Sequence, residues 1–305
     1  MPLFTRRTQI ALAVLLAAVA AGAWFWIRRP HSTAPAALLP YIPPADAALV
    51  YLDVAALRQA GILQRLNAAP AAQDPDYRSF VDATKFDYTR DLDAALLSFQ
   101  DTGNFMVLRG RFDWNALRRY VQANQGSCDN GPCRIQGSQP GRRISFYEIR
   151  PDLMALAVSQ DAYAAALITR HPSTPPLHFP NSPIWFTIPP KDLRRDSLPT
   201  GTRTFASALE GALRLWLALD RAPAGYQLAL RVECQSEQEA RALANQLTST
   251  TDTLRKWIAR DQQTPNPNDL SGVLTAGSFR HEGPTVLGGW PIAPGFLDNL
   301  TKGAL

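Results

Sequence analysis

Residues 213–234, LRLWLALDRAPAGYQLALRVEC, carry the clearest structural signal in the chain. Leu213, Leu215, Leu217 and Leu219 alternate, and so do Tyr226, Leu228, Leu230, Val232 and Cys234. Gln227, Ala229, Arg231 and Glu233 fall on the opposite side of the second run. A period of two predicts a strand pair with one face on a core and the other wet or partnered. Ser236 and Glu239 follow as a capping box, and Ala240, Leu243, Ala244, Leu247, Leu254, Trp257 and Ile258 draw an apolar stripe down a helix ending near Arg260. A helix laid over a hairpin predicts a two-layer α+β arrangement.

The same order is legible on both sides of a proline-rich stretch, residues 171–183. Leu49 to Asp53 reads as a strand. Ala94 to Gln100 and Phe105 to Phe112 read as a hairpin, and Asp113 caps a helix in which Trp114, Leu117 and Val121 share a face. Arg143 to Ile149 and Met154 to Val158 are two further strands, after which Ser159 is placed to cap a helix. In the second segment, Ile184 to Ile188 is followed by the 213–234 hairpin and the long helix. Strands near Val273 to Arg280 and Thr285 to Trp290 and a short helix after Pro294 complete it. Leu49 and Ile184, Phe105 and Tyr226, and Ser159 and Pro294 stand 135, 121 and 135 residues apart. The expected fold class is therefore α+β, with two similar β-β-β-α-β-β-α segments, 48–170 and 184–305, each packing helix on sheet.

The amino-terminal part reads differently. Ile10 to Ile27, IALAVLLAAVAAGAWFWI, is free of charge and ends in Trp24, Phe25 and Trp26 before Arg28 and Arg29. Eighteen helical residues span about 27 Å, close to the roughly 30 Å of a bilayer core. Residues 1–29 are thus expected to be a transmembrane anchor in the inner membrane, with residues 30–47 as a Pro/Ala-rich spacer and the C-terminal domain in the periplasm. The rival reading is a cleaved signal peptide, since Ala17 to Gly22 could supply a cleavage site. The net charge of +5 follows from this segment, because Arg6, Arg7, Arg28 and Arg29 account for four of the five charges. The remainder is nearly neutral, which argues against a nucleic-acid partner.

Catalytic signatures are missing from the sequence. His31, His171, His178 and His281 show no metal-ligand spacing, and no P-loop, G-x-S-x-G or G-x-G-x-x-G occurs. No cofactor, metal or catalytic residue is therefore expected. Asp87, Asp91 and Asp93, with Arg90 among them, read as a turn in which carboxylates bond nearby amides, in preference to an acid/base pair or a calcium loop. Gly288 and Gly289 lie at a strand end, where a bulge or a close backbone contact is expected. Cys128 and Cys133 bracket Asp129-Asn130-Gly131-Pro132, a turn-forming stretch able to bring the sulfurs together, and are expected to form a structural disulfide worth about 1–2 kcal/mol in preference to free thiols or a redox site, whose usual motif is C-x-x-C. Cys234 is expected to stay unpaired on the core face of its strand.

Pro44-Ala45-Asp46-Ala47 leading into Tyr51-Leu52-Asp53, together with Phe86-Asp87-Tyr88-Thr89-Arg90-Asp91-Leu92-Asp93, resembles exported, membrane-anchored proteins of unknown function found in soil acidobacteria and their relatives. The resemblance covers the first half of the soluble part and implies an envelope location without an activity. The functional expectation is a non-catalytic, membrane-tethered binding or scaffold protein acting on an unknown envelope protein or ligand. The alternatives are a carrier of an apolar ligand and an envelope hydrolase with an unrecognised site. A deep apolar pocket would favour the carrier, and a pocket gathering shifted carboxylates the hydrolase.

Overall fold

In the computed structural model the described residues are 34–43, 46–63, 75–128, 131–137, 141–171, 180–189, 208–209, 211–222 and 225–302. Residues 34–305 cluster as one compact unit. Its strands are β1 (Ala48–Leu52), β2 (Leu92–Gln100), β3 (Gly103–Gly110), β4 (Cys133–Gln136), β5 (Arg143–Arg150), β6 (Leu153–Ser159), β7 (Ile184–Ile188), β8 (Arg214–Ala222), β9 (Gly225–Glu233), β10 (Ser278–Glu282) and β11 (Thr285–Ile292). The helices are α1 (Pro35–Leu38), α2 (Val54–Gln59), α3 (Pro75–Thr84), α4 (Tyr88–Asp91), α5 (Trp114–Ala123), α6 (Glu237–Arg260), α7 (Leu270–Thr275) and α8 (Pro294–Lys302).

All eleven described strands join one sheet, in the order β10-β11-β9-β8-β7-β1-β2-β3-β6-β5-β4, and every pairing is antiparallel. At its centre β1 pairs with β7, Val50 opposite Phe186. One face of the sheet is held by Tyr51, Leu96, Phe105, Val107, Leu153, Trp185 and Trp216, closed over by Leu38, Ile42, Ala164, Ala165 and Ile168. Tyr51 stacks on Trp185 at 5.5 Å, and Trp185 meets Trp216 edge-on at 5.4 Å. On the opposite face α6 covers Leu215, Leu230 and Val232 with Ala240, Leu243 and Leu247, while α5 covers Phe146 and Met154 with Leu117 and Val121. Along β8 the alternation sorts side chains between two packed faces, whereas on β9 it sets Leu230 and Val232 on the core against the exposed Gln227 and Arg231.

This corrects the expected α+β class with its repeated β-β-β-α-β-β-α segments. The protein is a single large antiparallel sheet with few helices. The first segment interposes α2, α3 and α4 between β1 and β2 and adds the edge strand β4. It ends in a four-residue 3-10 turn, Ala164–Leu167, where a helix was expected. The Ser159 hydroxyl accepts from Asp161 N at 3.2 Å and donates to Thr102 O at 2.7 Å, which ties it to the β2–β3 turn instead of to a helix start. In the second segment the stretch from Val273 begins as α7, because Asp269 accepts from the amides of Ser271 and Gly272 and opens a helical turn. Alternation reports which face a residue takes and is silent on which strand lies beside it. The pairing of β1 with β7, which merges two expected sheets into one and leaves no open edge between them, was therefore not readable.

The anchor expected over residues 10–27 lies outside the described residues. Among the described residues no helix is long and apolar enough to cross a membrane. The transmembrane and signal-anchor reading, and the inner-membrane placement with a periplasmic domain drawn from it, are accordingly withdrawn as unsupported. Within the stretch read as a spacer, Pro35–Leu38 is helical and Leu38 and Ile42 enter the core. Of the proline-rich stretch 171–183, residues 172–179 lie outside the described residues, and His171 N donates to Pro40 O at 2.7 Å.

The capping box works in an altered form. Ser236 Oγ accepts from Glu239 N at 3.2 Å, and Glu239 Oε2 accepts from Gln235 N at 3.1 Å. Of the expected stripe on α6, Ala240, Leu243, Ala244 and Leu247 are buried, whereas Trp257 is 63% exposed. A side chain added at Gly288 would place its Cβ 2.4 Å from Phe279 Cδ1, so the ring packs directly on backbone there.

A candidate apolar cavity between two helices and the sheet edge

The Asp113 carboxylate accepts from Ala116 N at 2.9 Å and starts α5, whose Leu117 and Val121 turn inward onto β5 and β6. The helix ends where Gly126 N donates back to Val121 O at 2.8 Å. A Cβ at Gly126 would fall 2.3 Å from Arg134 O and 2.5 Å from Val121 Cγ1, so only glycine lets the chain fold back this tightly. Ser127 and Arg134 then exchange two backbone hydrogen bonds, at 3.0 and 2.8 Å. The expected disulfide between Cys128 and Cys133 is present and ties this return to the first residue of β4. Cys234 is buried and unpaired as expected, and burial raises its thiol pKa.

Beneath this hinge α3, α5 and the strands β3 to β6 line an open-sided cavity of about 630 Å³. Ser79 and Phe80 come from α3, and Phe86 and Phe112 from the segments flanking the β2–β3 hairpin. Leu117, Tyr120, Val121 and Asn124 come from α5, and Ile135, Gln136, Ile144, Phe146, Met154 and Leu156 close the sheet side. The rings touch in series. Phe80 meets Tyr120 at 5.2 Å and Phe86 at 6.2 Å, and Phe86 stacks on Phe112 at 5.5 Å. The described lining carries no charged side chain. Two of its few polar groups are already engaged, since Asn124 Nδ2 donates to Tyr120 O at 2.8 Å and Gln136 Nε2 to Arg142 O at 3.1 Å. On the surface of α5 Arg118 pairs with Glu148 of β5 at 3.4 Å. Such a wall solvates an apolar, uncharged group and penalises an ionised one. A second cavity of about 540 Å³ on the opposite sheet face includes Asp220, Arg231 and Arg280 in its wall and is the more polar of the two.

None of the residues considered for chemistry in the sequence lines the 630 Å³ cavity. Asp87 caps α4, its Oδ1 accepting from Thr89 N at 2.9 Å and Thr89 Oγ1 at 2.7 Å. Asp91 Oδ2 accepts from Asp87 N at 3.0 Å and pairs with Arg90 at 2.7 Å, and Asp93 pairs with Arg58 at 3.4 Å. The group is a hydrogen-bonded turn, in line with the sequence reading. His171 and His281 are the described histidines, while His31 and His178 lie outside the described residues. Among the described residues no group of three or more His, Cys, Asp and Glu could hold a metal ion.

The Arg90 guanidinium beside Asp91 holds that carboxyl at about 2. Because the folded value lies below the usual 3.8, the stabilisation is present above pH 4 and is lost as pH falls from about 4 towards 2. Arg90 is largely solvent-exposed, so the expected loss is about 1–2 kcal/mol. Urea denaturation of wild type and Asp91→Asn at pH 7 and pH 3 checks this. The difference between the two proteins is expected to shrink at pH 3.

The cavity residues were missed by sequence reading because each looks like ordinary core. The available signal was the aromatic density of the flanks, with Phe80, Phe86, Phe112, Trp114 and Tyr120 all lying outside the strands. No protein-family model matches the sequence, and no curated protein matches it. Three solved structures of TP0453 are similar in backbone. Crystal form I gives a TM-score of 0.48 at 10% identity, covering 88% of this chain and 98% of that one. Form III gives 0.47 at 12% identity over 87% and 97%, and form IV gives 0.43 at 12% over 86% and 95%. At such distance the functional reading rests on the residues of this chain.

Proposed function

We propose that this protein is a non-catalytic binding protein that carries an apolar, uncharged ligand in the cavity between α3, α5 and the β3–β6 end of the sheet. The observation that carries the reading is the charge-free aromatic lining of a cavity of about 630 Å³, within the size range of small-molecule sites. The hydrolase alternative wanted two shifted carboxylates, or a carboxylate and a histidine, in one pocket, and this lining contains neither. The disulfide fits a protein that works in an oxidising compartment.

The test is a titration with N-phenylnaphthylamine, a neutral aromatic probe that brightens in apolar surroundings. Wild type is expected to bind one equivalent. Ile135 lines the cavity from the short strand β4 and is half-buried, so Ile135→Trp fills space without removing a core side chain. The variant is expected to bind at least tenfold more weakly, about 1.4 kcal/mol, with an unchanged denaturation midpoint. Equal binding by both proteins would overturn the assignment of the site.

A further inference from the structure

We propose that the Cys128–Cys133 disulfide is a redox latch on the apolar cavity, so that reduction by a dithiol loosens one wall and weakens ligand binding. This inference rests on the cavity reading above. The cross-link lies where two cavity walls meet. Tyr120, Val121 and Asn124 of α5 line the cavity on one side of the hinge, and Ile135 and Gln136 of β4 on the other. β4 is four residues long and forms the sheet edge, with β5 as its only partner strand among the described residues. Besides that ladder, the hinge is held by the Ser127–Arg134 bridge, by Arg134 Nη2 donating to Ser127 Oγ at 2.6 Å, and by the stacking of the Arg134 guanidinium on Tyr163 at 4.5 Å. Of the two sulfur residues, Cys133 is buried against the α5 core, whereas Cys128 is half-buried and packs against that cluster from outside.

That asymmetry sets the course of exchange. A thiolate of the dithiol attacks Sγ of Cys128, the protein S–S bond breaks, and Cys133 leaves as a thiolate that takes up a proton. The second thiol of the reductant then attacks the mixed disulfide, closes its own disulfide and releases Cys128. Two electrons and two protons pass from reductant to protein, giving two cysteine thiols and one oxidised dithiol. Freed of the cross-link, the described residues of the return keep the β4–β5 ladder, the Ser127–Arg134 bridge and the Arg134 contacts, and local opening at this sheet edge competes with ligand binding.

The experiment measures N-phenylnaphthylamine affinity in oxidised wild type, in wild type reduced with dithiothreitol, and in Cys128→Ser/Cys133→Ser with and without dithiothreitol. The dissociation constant is expected to rise about five- to tenfold on reduction and to recover on reoxidation. The double variant is expected to match reduced wild type and to ignore the reductant. Amide exchange in the same samples is expected to speed up on reduction within residues 126–136, with α6 and β8 unchanged. If the double variant does not fold, reversible reduction of wild type carries the test alone. Equal affinity in the two redox states would overturn the latch while leaving the cavity reading intact. Absence of probe binding to the oxidised protein would overturn both.

Discussion

Trp185→Ala is expected to cost about 3–5 kcal/mol, the largest single-residue effect in the protein. The indole is fully buried on β7, stacked on Tyr51 of β1 and edge-on to Trp216 of β8. It therefore joins the two halves of the sheet at the strand pair where they meet. Truncation removes the apolar area of a large ring and leaves a void that flanking strands, held by their ladders, cannot close. Because the site lies on the central pair, the loss is expected in one cooperative urea transition. Two separated transitions, one per half, would show that the halves unfold independently and that the continuous sheet is not the folding unit.

Leu247→Ala is expected to cost about 3 kcal/mol. Leu247 is fully buried in the middle of α6 and packs into the cluster formed with Leu230, Val232 and Val286. The helix is amphipathic, and its other face is solvated, so its position depends on this stripe. The contrasting substitution is Trp257→Ala, ten residues beyond Leu247 towards the helix C-terminus. Its side chain is mostly exposed, and it is expected to change stability by less than about 0.5 kcal/mol. Thermal and urea denaturation of the two variants measures the difference. A comparable loss at both positions would mean that the outer end of α6 is packed on something.

Alkylation of the denatured, unreduced protein is expected to modify one cysteine, Cys234, as read by intact mass. Three modified cysteines would show that Cys128 and Cys133 are not bridged. The loop closed by the bridge is short, so its removal is expected to cost about 1–2 kcal/mol, below the usual range for longer loops.

Local structure was readable wherever the side chains themselves decide it. The alternation in 213–234 marks β9 to within a residue and β8 short of its last three residues, Asp113 and Ser236 mark the starts of α5 and α6, and the spacing around Asn-Gly-Pro marks the disulfide. Long-range pairing was not readable. Tyr51 and Trp185 are separated by most of the first half of the chain, and their sequences contain nothing that selects one another as partners over the strands of their own segments. Ser159 misled because its hydroxyl does accept from a following amide, that of Asp161, yet the chain beyond it closes only a four-residue 3-10 turn, Ala164–Leu167. The cavity was hidden for a related reason. Leucine, phenylalanine and methionine at helix and strand periods read as filled core. Whether such side chains meet or leave a space depends on how α3 and α5 sit on the sheet, and that is a tertiary quantity.

The central claim is that an apolar ligand occupies the cavity beneath α5, and amide exchange with and without saturating N-phenylnaphthylamine tests it most directly. Protection is expected in α5, in the 126–136 hinge and in β5 and β6, with β8, β9 and β10 unchanged. Protection confined to β8–β10, where the more polar cavity lies, or no protection anywhere, would contradict it.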